Sequence, residues 1–205
     1  MKHPAFIITG TDTGIGKTVC SAVLTLGLKG CYWKPVQSGT AEGTDTQAVR
    51  TMTGLPDDHF LPEVYCLKEP LSPHRAAELD GVVIDPGQLE IPDCDRPLIV
   101  EGAGGLMVPL TREVLYVDVF RRWNVPVILC ARTGLGTINH TLLSVEVLKS
   151  RGIPLHGLVL IGPDNPDNMR TIREFTGTRI LGHIPPLPAL EPQALQRVFE
   201  ASFDL

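Results

Sequence analysis

At 205 residues, with 43% hydrophobic and 20% charged side chains, the chain has the composition of one ordinary globular domain, residues 1–205, large enough to bury a core. Its net charge of −5 comes without a basic patch or a run of like charges, which argues against nucleic acid and anionic membranes as partners and favours small ligands. No apolar run approaches the roughly 20 residues of a membrane span, and Met1-Lys2-His3-Pro4 leads into a strand rather than a signal-peptide core, so a cytoplasmic location is expected. Five cysteines, Cys20, Cys31, Cys66, Cys94 and Cys130, are odd in number and show no C-x-x-C pair, so neither a disulfide nor a metal role is expected of them.

The first predicted element is a strand over Ala5–Ile8, apolar without alternation, as in a parallel strand buried on both faces. It runs into a Gly-rich turn, and Gly16-Lys17-Thr18 then opens a helix expected over Lys17–Lys29. The orphan N–H groups and the positive end of the helix dipole converge there, which suits phosphate. In the P-loop mechanism Lys17 reaches the outer phosphates and Thr18 offers its hydroxyl to Mg²⁺. The pattern G-x-x-x-x-G-K-[ST] is not matched literally, because position 11 is Thr and the loop counted from Gly10 is one residue longer. Gly-Lys-Thr alone recurs by chance; strand, Gly10, Gly14, Gly16, Lys17, Thr18 and helix in that order do not.

A short strand follows at Cys31-Tyr32-Trp33, and its exit, Lys34 to Gly39 (KPVQSG), is polar and tight. Ligands of parallel sheets gather beyond the carboxyl ends of the strands, so Lys34, Gln37 and Ser38 are expected beside the P-loop. Gly43-Thr44-Asp45 reads as the start of a helix over Thr46–Met52, with Asp45 free to approach a metal. Residues 54–80, punctuated by Pro56, Pro62, Pro70 and Pro73, read as a covering loop with one helical turn at His74–Glu78. Pro97–Val100 is the third strand and delivers Glu101-Gly102-Ala103-Gly104-Gly105, where an acid suits a second metal carboxylate or, alternatively, a turn cap. Strands at Val125–Cys130, Gly157–Ile161 and Arg179–Ile184 alternate with helices at Ile138–Ser150, Asn168–Thr176 and Gln193–Ala201. The alternation predicts an α/β fold of three layers, a P-loop NTPase fold with a mostly parallel central sheet flanked by helices.

Five stretches together give the chain a close resemblance to the dethiobiotin synthetase family: TGTDTGIGKT at 9–18, YWKPVQSG at 32–39, LSPHRAA at 71–77, VEGAGGLMVPL at 100–110 and GLGTINHTLLS at 134–144. The resemblance implies a homodimer that uses ATP and Mg²⁺ to join CO2 to 7,8-diaminononanoate and close a ureido ring. It implies Lys17 and Lys34 as catalytic cations, with Thr13 and Ser38 on the carbamate end of the substrate. Thr18, Asp45 and Glu101 would surround Mg²⁺. The nucleotide would lie against Gly14, Ile15, Gly16, Lys17, Thr18, Val19, Gly102, Ala103 and Gly104, and against Gly162, Pro185, Pro186 and Leu187. The substrate's distant carboxylate is expected at Gly136, Thr137, Ile138 and Asn139 of the other subunit, so that each site is shared; the start of that helix suits an anion.

Three features depart from the family pattern. Ile161-Gly162-Pro163-Asp164 lacks the Asn that often reads the base after the fifth strand, which leaves the nucleoside triphosphate open. The helix before the VEGAGG strand is reduced to Asp85–Leu89, and position 14 is Gly where some relatives carry an acid. A nucleotide-switch ATPase of the partitioning type is the alternative. Such proteins resemble this chain in strand, P-loop and sheet, but usually carry a second lysine that residues 9–15 lack, and the carboxyl end FEASFDL is not a basic amphipathic helix. A glutamine-dependent amidase of related fold would need a glutaminase domain for which 205 residues leave no room.

Overall fold

The computed structural model describes residues 3–203; Met1 and Lys2 of the expected lead-in, and Asp204 and Leu205 at the other end, lie outside them. The backbone runs β1 (Ala5–Gly10), α1 (Lys17–Gly27), β2 (Cys31–Trp33), β3 (Val36–Ser38), α2 (Asp45–Thr53), β4 (Phe60–Leu61), β5 (Tyr65–Leu67) and α3 (Pro73–Asp80). It continues through β6 (Leu98–Gly105), α4 (Tyr116–Trp123), β7 (Val127–Arg132), α5 (Thr137–Ser150), β8 (Leu155–Ile161), α6 (Pro166–Thr176), β9 (Ile180–Ile184) and α7 (Pro192–Ser202). Seven strands form one sheet in the order β4-β2-β6-β1-β7-β8-β9, and every pairing in it is parallel. A separate two-stranded parallel sheet joins β3 to β5.

The period-2 geometry of each strand sorts neighbouring residues onto opposite faces. Ile7, Val100, Leu129 and Leu160 face one core with Val117 and Phe120 of α4, Val145 of α5 and Ile172 of α6. Their sequence neighbours Ile8, Ile99, Ile128 and Val159 face the other core with Val23 of α1, Val49 of α2 and Leu195 of α7. Three layers follow from this, as the sequence predicts. Strands apolar at successive positions are stable only where helices cover both faces.

The segment 54–80 differs from a covering loop. Phe60 and Leu61 pair with Tyr32 and Trp33 as the outermost strand of the main sheet, Tyr65–Leu67 pair with Val36–Ser38, and α3 spans eight residues. Strands of two and three residues are too short to show a periodicity, so no sequence signal marks them. The exit KPVQSG is correspondingly half strand, and the GAGG run extends β6 rather than forming a loop. Helix α4 was also not anticipated, although its buried Tyr116, Val117, Val119 and Phe120 sit at i, i+1, i+3 and i+4.

Candidate active site

Strands β1 and β2 lead into the P-loop and Lys34, and β6 carries Glu101 within its length, so that all three meet at one cavity of about 500 Å³. The turn after β1 places Gly16 at φ 97°, a left-handed conformation open to glycine, and no side chain caps the helix that starts there. Lys17 folds back over the loop and donates from Nζ to the Asp12 carbonyl at 2.9 Å. Thr13, Gly14, Lys17 and Thr18 all line the cavity.

Opposite the loop stands a buried charge cluster. Lys34 is 4% exposed, and its Nζ lies 2.6 Å from Asp45 Oδ2 and 3.0 Å from Glu101 Oε1 while donating to the Gly102 carbonyl at 3.0 Å. Thr18 Oγ1 stands 3.2 Å from Asp45 Oδ1 and 3.1 Å from Glu101 Oε1. Glu101 is fully buried, and its second oxygen accepts from the Tyr32 hydroxyl at 3.0 Å. Asp45 is steadied through its backbone, whose N–H donates to Gln37 Oε1 at 2.9 Å. The capping box of Thr44 with Gln47 sets the start of α2 and so the direction in which Asp45 points.

The two lysines are tuned in opposite directions. Burial lowers the pKa of Lys17, Glu101 pulls it partly back, and the Lys34 charge lowers it further. Burial also works against the charge on Lys34, but the Glu101 and Asp45 carboxylates outweigh it and hold its pKa above the ordinary lysine value. Burial and the Glu101 charge push the Tyr32 phenol well up, so it remains a hydrogen-bond donor. Thr18, Asp45 and Glu101 form the all-oxygen donor set that hard cations such as Mg²⁺ take, and the two carboxylates already hold one cation, the Lys34 ammonium. The residues present therefore fit a magnesium ion.

Residues 5–194 match a protein family described as "AAA domain". ATP-dependent dethiobiotin synthetase BioD of Rhodopseudomonas palustris is 56% identical over 198 residues, covering 97% of this chain and 93% of that protein. The proteins of the same name from Brucella anthropi and Novosphingobium aromaticivorans are 54% and 52% identical, each covering at least 97% of this chain and 94% of its own length. The chain belongs to the dethiobiotin synthetase family. Among solved structures, the MinC:MinD cell division complex of Aquifex aeolicus superposes with a TM-score of 0.57 at 12% identity, covering 98% of both chains. Septum site-determining protein MinD complexed with Mg-ADP, from Pyrococcus horikoshii, does so with a TM-score of 0.55 at 12% identity, covering 97% of this chain and 95% of that one. These likenesses identify the P-loop NTPase fold and nothing finer.

Against the residues expected from a dethiobiotin synthetase, the cavity brings together Thr13, Gly14, Gly16, Lys17, Thr18, Lys34, Ser38, Asp45, Glu101, Ala103 and Gly104. Ser38 Oγ is buried there without a hydrogen-bond partner. Ile15 and Val19 do not line it: their side chains belong to the core on the α1 side of the sheet. Gly102 turns its carbonyl to Lys34, and a Cβ there would meet Phe120 Cζ at 2.8 Å. Gly162, Pro185, Pro186 and Leu187 also lie outside this cavity. Gly162, at φ 134°, donates from N–H to the Ile184 carbonyl and packs against Thr133, while Pro185 and Leu187 line a separate hollow beside α7. Gly136, Ile138 and Asn139 do not reach this cavity within the chain, and Thr137 is buried with its hydroxyl on the Arg132 carbonyl. Thr137 is thus a brace for the turn. Tyr32 was missed, although a buried tyrosine in a strand leading to a lysine needs a partner for its hydroxyl. Ser72 also lines the cavity, with its Oγ 2.8 Å from His74 Nδ1.

Proposed function

We propose that this chain is an ATP-dependent cyclo-ligase that carboxylates 7,8-diaminononanoate with CO2 and closes the ureido ring of dethiobiotin, releasing ADP and phosphate. The observation that carries the reading is the pair of buried ammonium groups, Lys17 and Lys34, at one cavity whose lining includes no Cys or His side chain among the described residues. Such a site suits the meeting of two anions, a carbamate and a γ-phosphate, where neutralisation matters more than a nucleophile or base supplied by the protein.

In this reading one substrate amine takes up CO2 as a carbamate, a carbamate oxygen attacks the γ-phosphorus, and the second amine attacks the carbonyl carbon of the resulting carbamic-phosphoric anhydride and expels phosphate. Lys17 steadies the β- and γ-phosphoryl oxygens with the N–H groups at the start of α1. Lys34 offsets the charge that gathers between the two anions. The unpartnered Ser38 hydroxyl, with Thr13 across the cavity, is free to bond the carbamate. Thr18, Asp45 and Glu101 would hold Mg²⁺, which supplies charge neutralisation to the phosphoryl oxygens. Tyr32 keeps Glu101 turned toward Thr18 and Lys34.

We further infer one ligase domain, acting as a cytoplasmic homodimer in which Gly136, Ile138 and Asn139 of one subunit receive the substrate carboxylate held at the other subunit's cavity. Gly136 leaves the first N–H groups of α5 without a side-chain cap, and Leu135 beside it is wholly exposed. Met107 and Leu143, both largely exposed, line one hollow on the same side of the molecule as the P-loop residues Thr11–Thr13. An apolar patch there favours a protein contact. Among the described residues no helix is long and apolar enough to cross a membrane. The decisive experiment measures phosphate release from ATP. It is expected to depend strictly on both diaminononanoate and bicarbonate; release that ignores either one would overturn the ligase reading.

A further inference from the structure

The amino-terminal edge of the sheet, at the opposite end from the cavity, carries side chains for which the ligase chemistry has no use. Cys31 is the first residue of β2, and Cys94 and Asp95 lie in the segment that leads into β6. The two sulfur atoms and a carboxylate oxygen of Asp95 all lie within 4.8 Å of one another. Several bonds fasten the surroundings: Cys31 N–H donates to the Pro97 carbonyl at 2.8 Å, Arg96 pairs with Asp58 at 2.8 Å, and His59 Nδ1 lies 2.6 Å from the Gly30 carbonyl. The three groups are thus brought together by the pairing of β2 with β6 and by the turn before β4.

A tetrahedral zinc ion holds thiolates at about 2.3 Å and a carboxylate oxygen at about 2.0 Å, which sets sulfur–sulfur separations of about 3.8 Å and sulfur–oxygen separations of about 3.5 Å. Atoms already within 4.8 Å reach those separations by small side-chain rotations. We propose that Cys31, Cys94 and Asp95 bind a divalent cation of the zinc class, with water in the fourth position. Two thiolates and one carboxylate are the borderline-soft donor set that selects such an ion over Mg²⁺. Access is graded from inside to outside: Cys31 is buried, Cys94 half-buried and Asp95 exposed, so an ion enters from solvent and closes onto Cys31.

A bound dication would supply the positive charge that both thiolates need, and Arg96, 3.9 Å from Asp95, offsets the surplus negative charge of the ligand set. Binding would release the thiol protons and strengthen as pH rises. Its effect on the fold would be to clamp β2, which leads to Lys34, to the segment that enters β6, which carries Glu101, without touching the cavity.

The test uses the full-length, tag-free chain, reduced and stripped of metal, titrated with Co²⁺ and followed by absorption. Thiolate-to-cobalt bands in the near ultraviolet with visible bands of a tetrahedral ion are expected, and Zn²⁺ should displace them. Both Cys31→Ser and Cys94→Ser should abolish the thiolate bands, and Asp95→Asn should weaken binding by about tenfold or more. Cys66→Ser, in β5, should leave the titration unchanged. Because Cys94 is only half-buried, its variant remains informative even where Cys31→Ser folds poorly. Zn²⁺ should raise the Tm of the parent chain and not that of Cys94→Ser. A cobalt spectrum lacking thiolate bands, or one that Cys94→Ser leaves intact, overturns the site.

Discussion

Helices α1 and α5 begin alike. Each has a glycine N-cap with positive φ, Gly16 at 97° and Gly136 at 89°, and neither has a side chain bonded to its first N–H groups. Helices α2 and α6 begin differently, with Thr44 and Asn165 each accepting from a backbone N–H of the first turn. A side-chain cap satisfies the orphan donors within the chain; a glycine leaves them for something else. The surroundings of the two glycine starts diverge. Gly16 faces an interior cavity between two buried lysines, whereas Gly136 and Leu135 stand exposed on the surface. The first helix start opens into a cavity lined by its own chain, and the second opens to solvent, where a partner would meet it.

If α1 faces the reacting phosphate, the largest loss should follow removal of the two cations that line the cavity there. Lys34→Ala is expected to lower kcat by about 10²- to 10³-fold, and Lys17→Ala similarly, with weaker triphosphate binding for Lys17→Ala alone. Lys34→Ala also leaves fully buried Glu101 without its ammonium partner, so stability should fall by about 3 kcal/mol or more. Single-turnover phosphate release and urea unfolding separate the two effects. Near-normal turnover in Lys34→Ala would sink the assignment of the cavity.

If α5 serves a neighbouring subunit, lesions at the two helix starts should complement each other. Thr137 is unsuitable for this test because its buried hydroxyl braces the turn, but Asn139 is exposed. Subunits carrying Lys34→Ala and Asn139→Trp, each inactive alone, should on mixing regain up to about half the activity per heterodimer, because one of its two sites is then intact. A mixture that stays dead despite demonstrated subunit exchange would place α5 outside the active site.

The half of the cavity built from β1, β2 and β6 was legible because each part is announced by residues that a buried apolar strand would not otherwise carry or lead into: Gly16-Lys17-Thr18 after β1, Lys34 after β2 and Glu101 within β6. Asp45 was legible through the cap chemistry of Thr44 before it. What was not legible depends on side chains whose role is set across the sheet. Tyr32 reads as one more buried strand residue until β6 brings Glu101 opposite its hydroxyl. Phe60 and Leu61 form the edge strand only because β2 offers them a ladder. The thiols of Cys31 and Cys94 are far apart in sequence and meet only through the same pairing of β2 with β6.

The oxygen cluster beside α1 gives a third, smaller effect. Asp45→Asn and Glu101→Gln each take one charge from the donor set and should raise the Mg²⁺ midpoint of activity by about tenfold. Tyr32→Phe removes only the 3.0 Å hydrogen bond to Glu101, worth about 1 kcal/mol, and should move the midpoint a few-fold with kcat nearly unchanged. Titration of activity against Mg²⁺ tests all three. Unchanged midpoints in both carboxamide variants would show that neither carboxylate serves the metal.

The smallest effect separates the two glycine starts by themselves. An alanine at either position must hold the left-handed conformation, at a cost of about 1–2 kcal/mol. At Gly136 that is the whole cost, because an added Cβ meets nothing within 4 Å. At Gly16 the Cβ would also stand 3.0 Å from Ile161 Cγ2 and 3.3 Å from its Cδ1, so the Ile161 side chain of β8 and the helix start must give way to each other by a few tenths of an ångström. Gly16→Ala should therefore lose roughly 1 kcal/mol more than Gly136→Ala in urea unfolding. It should also weaken triphosphate binding, since the N–H groups of α1 move with the cap, while Gly136→Ala should leave that binding unchanged. Equal stability losses, with nucleotide affinity untouched in both variants, would mean that the two helix starts differ only in exposure and that α1 is not held for a ligand.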